Sequence, residues 1–259
     1  MNAHISPLSL LIFLIIALTF PVSASAQDTI PDTCSTLHKE HQFKPKKLIL
    51  PAALIATGAF GVGNGAFHEL NREVRDAMGG GTHKRIRIDE VMPYLPAVAA
   101  YGLDLCGVKA KHGWKDRTLL LAMSFVITQG MSKGTKMLVS EWRPDGSDHH
   151  SFPSGHTASA FMSAEFLRME YRDASPWIAV GGYTMAAATG AMRLYNDRHW
   201  LNDIIAGAGV GILGTRIAYW IYPWMQRHLI IKSADKKTSA LLLPYTSTDQ
   251  TGMMLAVSF

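Results

Sequence analysis

From residue 48 onward the chain runs through six apolar stretches joined by short polar connectors: 48–68, 91–103, 119–139, 157–169, 176–192 and 203–225. None alternates apolar and polar positions with period two, and Ala, Leu, Met and Gly dominate, so each is expected to be helical. Ser154 is placed to cap the helix that begins near Gly155 or His156. Gly79-Gly80-Gly81 marks a flexible turn after the first stretch. Ahead of this body lies an apolar run, residues 8–20, followed by Ala24-Ser25-Ala26 before Gln27, which is the layout of a signal peptide over 1–26. Residues 27–47 form a polar lead-in ending in Lys44-Pro45-Lys46-Lys47. After residue 232 the character changes, and the β-rich runs 239–246 and 252–259 predict a hairpin extension over 233–259. The expected fold is all-α: a bundle of about six core helices over 48–232 with a small C-terminal β-hairpin.

Length, charge and cysteine count narrow the function. A chain of 259 residues fits one domain with small additions. Net charge is +5 with an isoelectric point near 9.2, and mean hydropathy is +0.09. That balance suits a phosphorylated substrate or a polyanionic surface. A nucleic-acid partner is not expected, because no basic cluster is interleaved with aromatics. Cys34 and Cys106 follow no metal or redox spacing and read as two unrelated cysteines rather than a disulfide.

Three clusters of rare polar groups sit at the ends of apolar stretches. Lys136 precedes Arg143-Pro144 by seven residues, two helical turns, which predicts both cations on one helix face with Pro144 ending the helix. Two cations meeting at one point suit a phosphate, which Arg binds bidentately and Lys attracts as a point charge. Pro153-Ser154-Gly155-His156 opens a helix, where a hydroxyl and free N–H groups form an anion site and Gly155 lets the backbone come close. His156 can protonate a leaving oxygen. The third cluster is Arg193, His199 and Asp203. At a spacing of four, Asp203 can hold one ring nitrogen of His199 and leave the other free to attack phosphorus. Arg193 is then a third cation on the phosphate.

In this joint order the sequence resembles the type 2 phosphatidic acid phosphatase (PAP2) superfamily, which also includes bacterial acid phosphatases and vanadium haloperoxidases. The likeness runs across roughly 48–226. The first motif falls on Lys136, Arg143 and Pro144, the second on Pro153 to His156, and the third on Arg193, His199 and Asp203. Met192 stands where the family has Ser. The resemblance implies a phosphohistidine on His199, orientation of His199 by Asp203, and His156 as general acid. It implies that Lys136, Arg143, Ser154, Gly155 and Arg193 hold the phosphoryl oxygens, with no metal and no cofactor.

The expected activity is a metal-independent phosphatase acting on a lipid phosphate: lipid A, phosphatidylglycerol phosphate, phosphatidate or undecaprenyl pyrophosphate. The alternatives are a soluble periplasmic acid phosphatase of broad specificity, a vanadium-dependent haloperoxidase and a non-catalytic binding protein. Asp145 to His150 is read as a polar loop beside the substrate mouth rather than a metal site. Asp197 and Arg198 are read as a local ion pair, and Trp142 and Trp200 as packing residues.

The expected location is the cell envelope. A bilayer span needs about 20 mainly apolar residues, and only 48–68 and 175–192 come near that. If residue 27 were outside and all six helices crossed, Arg143 would face the cytoplasm. A compact bundle on the periplasmic side, embedded in or resting on a membrane, is therefore preferred to a polytopic protein.

Overall fold

The computed structural model describes residues 45–82 and 84–228, together with the backbone of 239–246 and 251–258. The expected signal peptide, most of the lead-in, Cys34, the start of the extension and the hairpin turn lie outside the described residues. Among the described residues, seven α-helices follow one another: α1 Ile49–Gly63, α2 Gly65–Ala77, α3 Leu95–Leu105, α4 Trp114–Leu138, α5 Gly155–Tyr171, α6 Pro176–Tyr195 and α7 Leu201–His228. In the C-terminal unit, Tyr219–Phe259, strands β1 Ser239–Thr246 and β2 Thr251–Ser258 pair antiparallel, with Ser239 opposite Ser258 and Thr246 opposite Thr251.

The first apolar stretch is two helices, not one. Asn64 leaves helical geometry (φ −101°, ψ 120°), and its side chain accepts a hydrogen bond from Phe67 N, which starts α2. Hydropathy hid α2 because most of its residues are polar or charged. It buries one stripe, Asn71 and Val74, and sends Arg75 to Asp197. The turn that follows uses Gly79, Gly80 and Gly81 at φ 93°, 56° and 77°, a region L side chains rarely enter.

α5 is the central helix and packs on α3, α4 and α6. Ala160, Phe161 and Ala164 of α5 meet Tyr183 and Ala186 of α6 and Ala208 and Ile212 of α7 in the main core. A second cluster, Val74, Leu194, Leu201, Ile204 and Ile205, anchors α2 beneath the start of α7. α7 approaches α5 at backbone contact: a Cβ at Gly211 would lie 2.2 Å from Ala158 O and 2.7 Å from Met162 N.

A buried charge cluster ties three helices together. Glu165 of α5 is fully enclosed and accepts from Arg168 Nη2 at 2.7 Å, from Arg216 Nε of α7 at 2.7 Å, and from the Tyr183 hydroxyl of α6. Among the described residues, Pro45–Gly63 and Leu201–Gln226 are long and apolar enough to cross a bilayer. The second replaces the expected 175–192. Arg216 does not interrupt this apolar helix, because its charge is directed inward to Glu165.

Candidate active site

Three connections, α2–α3, α4–α5 and α6–α7, carry the site together with the helix ends beside them. α4 stops at Leu138 and Val139 turns extended (φ −118°, ψ 117°). Arg143 is therefore not on the helix of Lys136, contrary to the expected two-turn register. The chain leaves helix early because Glu141 pairs with the returning loop: Glu141 N donates to His149 O and Ser151 N to Glu141 O, both at 3.0 Å. The residue before Pro144 is also biased away from helix. The two cations still converge, through the loop. Lys136 Nζ donates to His150 O at 2.7 Å and Ser151 O at 3.1 Å, and Arg143 Nη2 donates to His150 O at 3.5 Å.

His199 precedes α7 by two residues, and Asp203 lies in its first turn. His199 Nδ1 lies 3.2 Å from Asp203 Oδ2, which also accepts from Trp200 N at 2.9 Å and from the Ser151 hydroxyl. This carboxylate makes Nδ1 the protonated nitrogen and leaves a lone pair on Nε2. Nε2 lies 3.3 Å from Arg143 Nη1. The guanidinium is oriented by Asp148, 2.7 Å from Nε, and by Arg198 O, 3.1 Å from Nη1. The imidazole is almost completely buried, and burial holds its pKa down at about 4, partly offset by Asp203. It is thus a neutral base near pH 7.

Ser154 caps α5: its oxygen accepts from Thr157 Oγ1 at 2.9 Å, while its own N–H donates to Asp203 O at 3.1 Å. That leaves the hydroxyl proton available to a ligand. A Cβ at Gly155 would meet only Ser132 Oγ at 3.7 Å, so the protein's own packing does not demand glycine there. His156 is half-buried, and burial with the nearby Arg193 and Arg143 charges lowers its pKa to about 4. Lys136 falls to about 8, through burial and then Arg143. A bound phosphate dianion would reverse the sign of the local field and raise both groups.

Arg193, in the last turn of α6, is held by Asp89: Nη1 donates to Oδ2 at 2.6 Å, with both side chains buried. Its Nε is buried with no partner among the described residues. Asp89 and Ser151 escaped the sequence reading. Each acts across a long sequence separation that no local spacing reports. Two other readings change. Asp197 pairs with Arg75 (2.7 and 2.8 Å), and Arg198 pairs with Asp145 at 3.0 Å beside Arg85 at 2.6 Å, so the two do not pair with each other. Asp197 adopts φ 58°, and this backbone turn carries the neighbouring side chains to different partners. Trp142 is 63% exposed rather than packed, while Trp200 Nε1 donates to Trp142 O at 2.6 Å.

The geometry therefore gathers cations, a capped helix N-terminus and a neutral imidazole. Residues 117–228, which span every motif of this cluster, match the model of the PAP2 superfamily. Over these residues, fewer than half of the chain, the sequence is similar to that superfamily. It is 38% identical over 151 residues to the lipid A 1-phosphatase of Porphyromonas gingivalis, covering 58% of this chain and 34% of that one. It is 27% identical over 122 residues to the bacitracin transport permease protein BcrC of Bacillus licheniformis, covering 42% and 58%. The chain thus spans about a third of the first relative's length and under two thirds of the second's. Among solved structures, it resembles the PAP2 type phosphatidylglycerolphosphate phosphatase of Bacillus subtilis at 19% identity, TM-score 0.49, covering 69% of this chain and 98% of that one.

Proposed function

We propose that the protein is a phosphatase of the cell envelope that hydrolyses a lipid phosphate without a metal. The observation that carries the reading is the unprotonated Nε2 of His199, which accepts from the Arg143 guanidinium at 3.3 Å while a carboxylate holds the other ring nitrogen. A lone pair aimed at an anion-binding group is what in-line attack on phosphorus requires. The phosphoryl oxygens lie among Arg143, Lys136, Arg193 with its unpartnered Nε, the Ser154 hydroxyl and the Gly155 N–H. These charges offset the negative charge that the transition state spreads over the oxygens.

His199 Nε2 bonds to phosphorus as the P–O bond to the alcohol breaks. His156 gives its proton to the leaving oxygen. Because His156 is neutral in the empty site, that proton arrives with the substrate monoanion. Asp203 balances the charge on the phosphorylated imidazole. Water, activated by the now neutral His156, then attacks phosphorus, releases phosphate and restores His199.

A lipid is favoured over a soluble ester by the site's rim. Met137, Leu138 and Trp142, the residues around Lys136 and Arg143, are 80%, 87% and 63% exposed. Such a cluster suits the interface of a bilayer. An apolar groove of about 380 Å³, lined by Val98, Tyr101, Leu121, Phe125 and Met162, offers room for hydrocarbon. The likeness to a lipid A 1-phosphatase supports lipid A as the first candidate to test.

The test is phosphate release by the purified full chain from lipid A, phosphatidate and phosphatidylglycerol phosphate in mixed micelles, and from p-nitrophenyl phosphate. His199→Ala is the blank. The expected result is release from at least one lipid, a lipid preference, and its loss in Trp142→Ala with p-nitrophenyl phosphate turnover kept. Equal turnover of the soluble ester and every lipid would refute the lipid assignment. Release undiminished in His199→Ala would refute the mechanism.

A further inference from the structure

Asp203 has one oxygen without a visible partner. Oδ2 collects three donors, from Ser151, Trp200 and His199. Oδ1 is buried and accepts from no donor among the described residues. A buried carboxylate oxygen left bare costs free energy on the scale of a lost charged hydrogen bond. The neighbouring carboxyl is Glu141, itself only 6% exposed: Asn202, the residue before Asp203, holds it, and Ser151 bonds to both residues, through its N–H to Glu141 O and through its hydroxyl to Asp203 Oδ2.

Glu141 has little else to satisfy it. Its two oxygens share a single amide, Asn202 Nδ2, at 3.1 Å each. That amide cannot flip, because Asn202 Oδ1 accepts from Asn71 Nδ2 at 2.9 Å and Asn71 Oδ1 accepts from Asn202 N at 3.4 Å. One NH₂ group does not stabilise two ionised carboxyls that touch away from water, and like charges so placed cannot both persist. Asp203, with three donors on Oδ2, keeps the charge.

We propose that Glu141 is a positioning residue for the nucleophile: as the neutral acid it donates its proton to Asp203 Oδ1, so that the buried pair carries one negative charge and Oδ2 stays committed to His199. The proposal rests on the reading of His199 as nucleophile. Its function is to fix the aspartate without neutralising it. Without the shared proton, Asp203 would rotate toward another donor or the two carboxylates would push apart, and His199 Nδ1 would lose its anchor.

The titratable group facing the Glu141 side chain is Asp203 in the first turn of α7, whose Oδ2 meets His199, and the loop paired with the Glu141 backbone carries His149 and His150. The α2 side presents Asn71, which does not titrate. Burial, and then Asp203, push the Glu141 acid up to about 8. The sign follows by linkage. A folded-state pKa raised above the ordinary glutamate value gives stability that is full below that ordinary value and is lost as pH rises through about 8.

The experiment compares full-chain wild type, Glu141→Gln and Glu141→Ala. Gln imitates the protonated acid: its NH₂ can donate to Asp203 Oδ1 while its oxygen accepts from Asn202. Infrared difference spectra between pH 6 and pH 10 should contain the C=O band of a protonated carboxyl in wild type and lack it in Glu141→Gln. The thermal midpoint of Glu141→Gln relative to wild type should rise steadily from pH 5 to pH 9. Glu141→Ala should lose roughly 10–100-fold in kcat, and Gln should recover most of that loss. Absence of the band in wild type, its persistence in Glu141→Gln, a flat midpoint difference, or a Gln variant no better than Ala would overturn the proposal. If Glu141→Ala does not fold, the spectra and midpoints of the other two decide. Neither measurement uses a substrate, so a wild type that turns over no phosphate ester sinks the phosphatase reading separately.

Discussion

Replacing Asp89 with Asn should weaken the fold and tighten phosphate binding at once. Asp89 is the partner of Arg193, 2.6 Å from Nη1, with side chains 4% and 7% exposed. Removing one member of a buried ion pair leaves the other uncompensated and costs about 3–5 kcal/mol. For a domain of this size that lowers the thermal midpoint by about 10 °C. The opposite effect comes from the same charge. A phosphate on the far edge of the guanidinium would lie about 6 Å from the carboxylate, and at an effective dielectric of about 20 one unit of repulsion is worth about 3 kcal/mol. Inorganic phosphate should therefore bind roughly 10–100-fold more tightly to Asp89→Asn, after allowance for relaxation. kcat should fall, because product leaves more slowly and because the Asp89 charge, which raises the His156 pKa, is gone. The assay is thermal shift against phosphate concentration, with the Kd read from the curve. A midpoint that falls while phosphate affinity falls with it, or does not change, would mean that Arg193 is only a structural partner of Asp89 and not a phosphate ligand.

Two further outcomes follow. Lys136, at about 8 in the empty site, binds phosphate only as the ammonium, so kcat/KM should decline as pH rises through that value. Lys136→Arg, which stays charged, should carry its reduced activity to higher pH, and an unmoved alkaline limb in kcat/KM would contradict this. Gly211→Ala should destabilise by about 3 kcal/mol or more, because its methyl would meet the α5 backbone at 2.2 Å. Gly181→Ala, where nothing lies within 4 Å, should be neutral or stabilising by up to about 1 kcal/mol in thermal denaturation.

Much of the site could be read from the chain because its chemistry is stored in short spacings. His199 and Asp203 are four apart, and Ser154, Gly155 and His156 are consecutive, so local geometry alone brings each set together. Lys136 and Arg143 meet for a different reason than their spacing suggests. The helix breaks at Val139, and Glu141 pairs with the loop that carries His150 and Ser151. Asp89, Glu141 and Ser151 were not legible because each earns its place through a partner fixed by the fold: Arg193, Asn202 and Asp203 respectively. The helical body was legible from apolar runs wherever a helix is buried all round, as α5 is. It was not legible at α2, where a charged surface leaves only one stripe for the core. The ion pairs of Asp197 and Arg198 were misassigned because adjacency in sequence says nothing once the backbone turns at φ 58°.

The central claim is that Nε2 of His199 becomes bonded to phosphorus. Rapid acid-free quench of the full chain with radiolabelled lipid phosphate, followed by peptide mapping, tests it directly. The account predicts an acid-labile, alkali-stable label on the peptide that contains residue 199, and none in His199→Ala. Label on another side chain, or steady turnover with no labelled protein at any quench time, would contradict it.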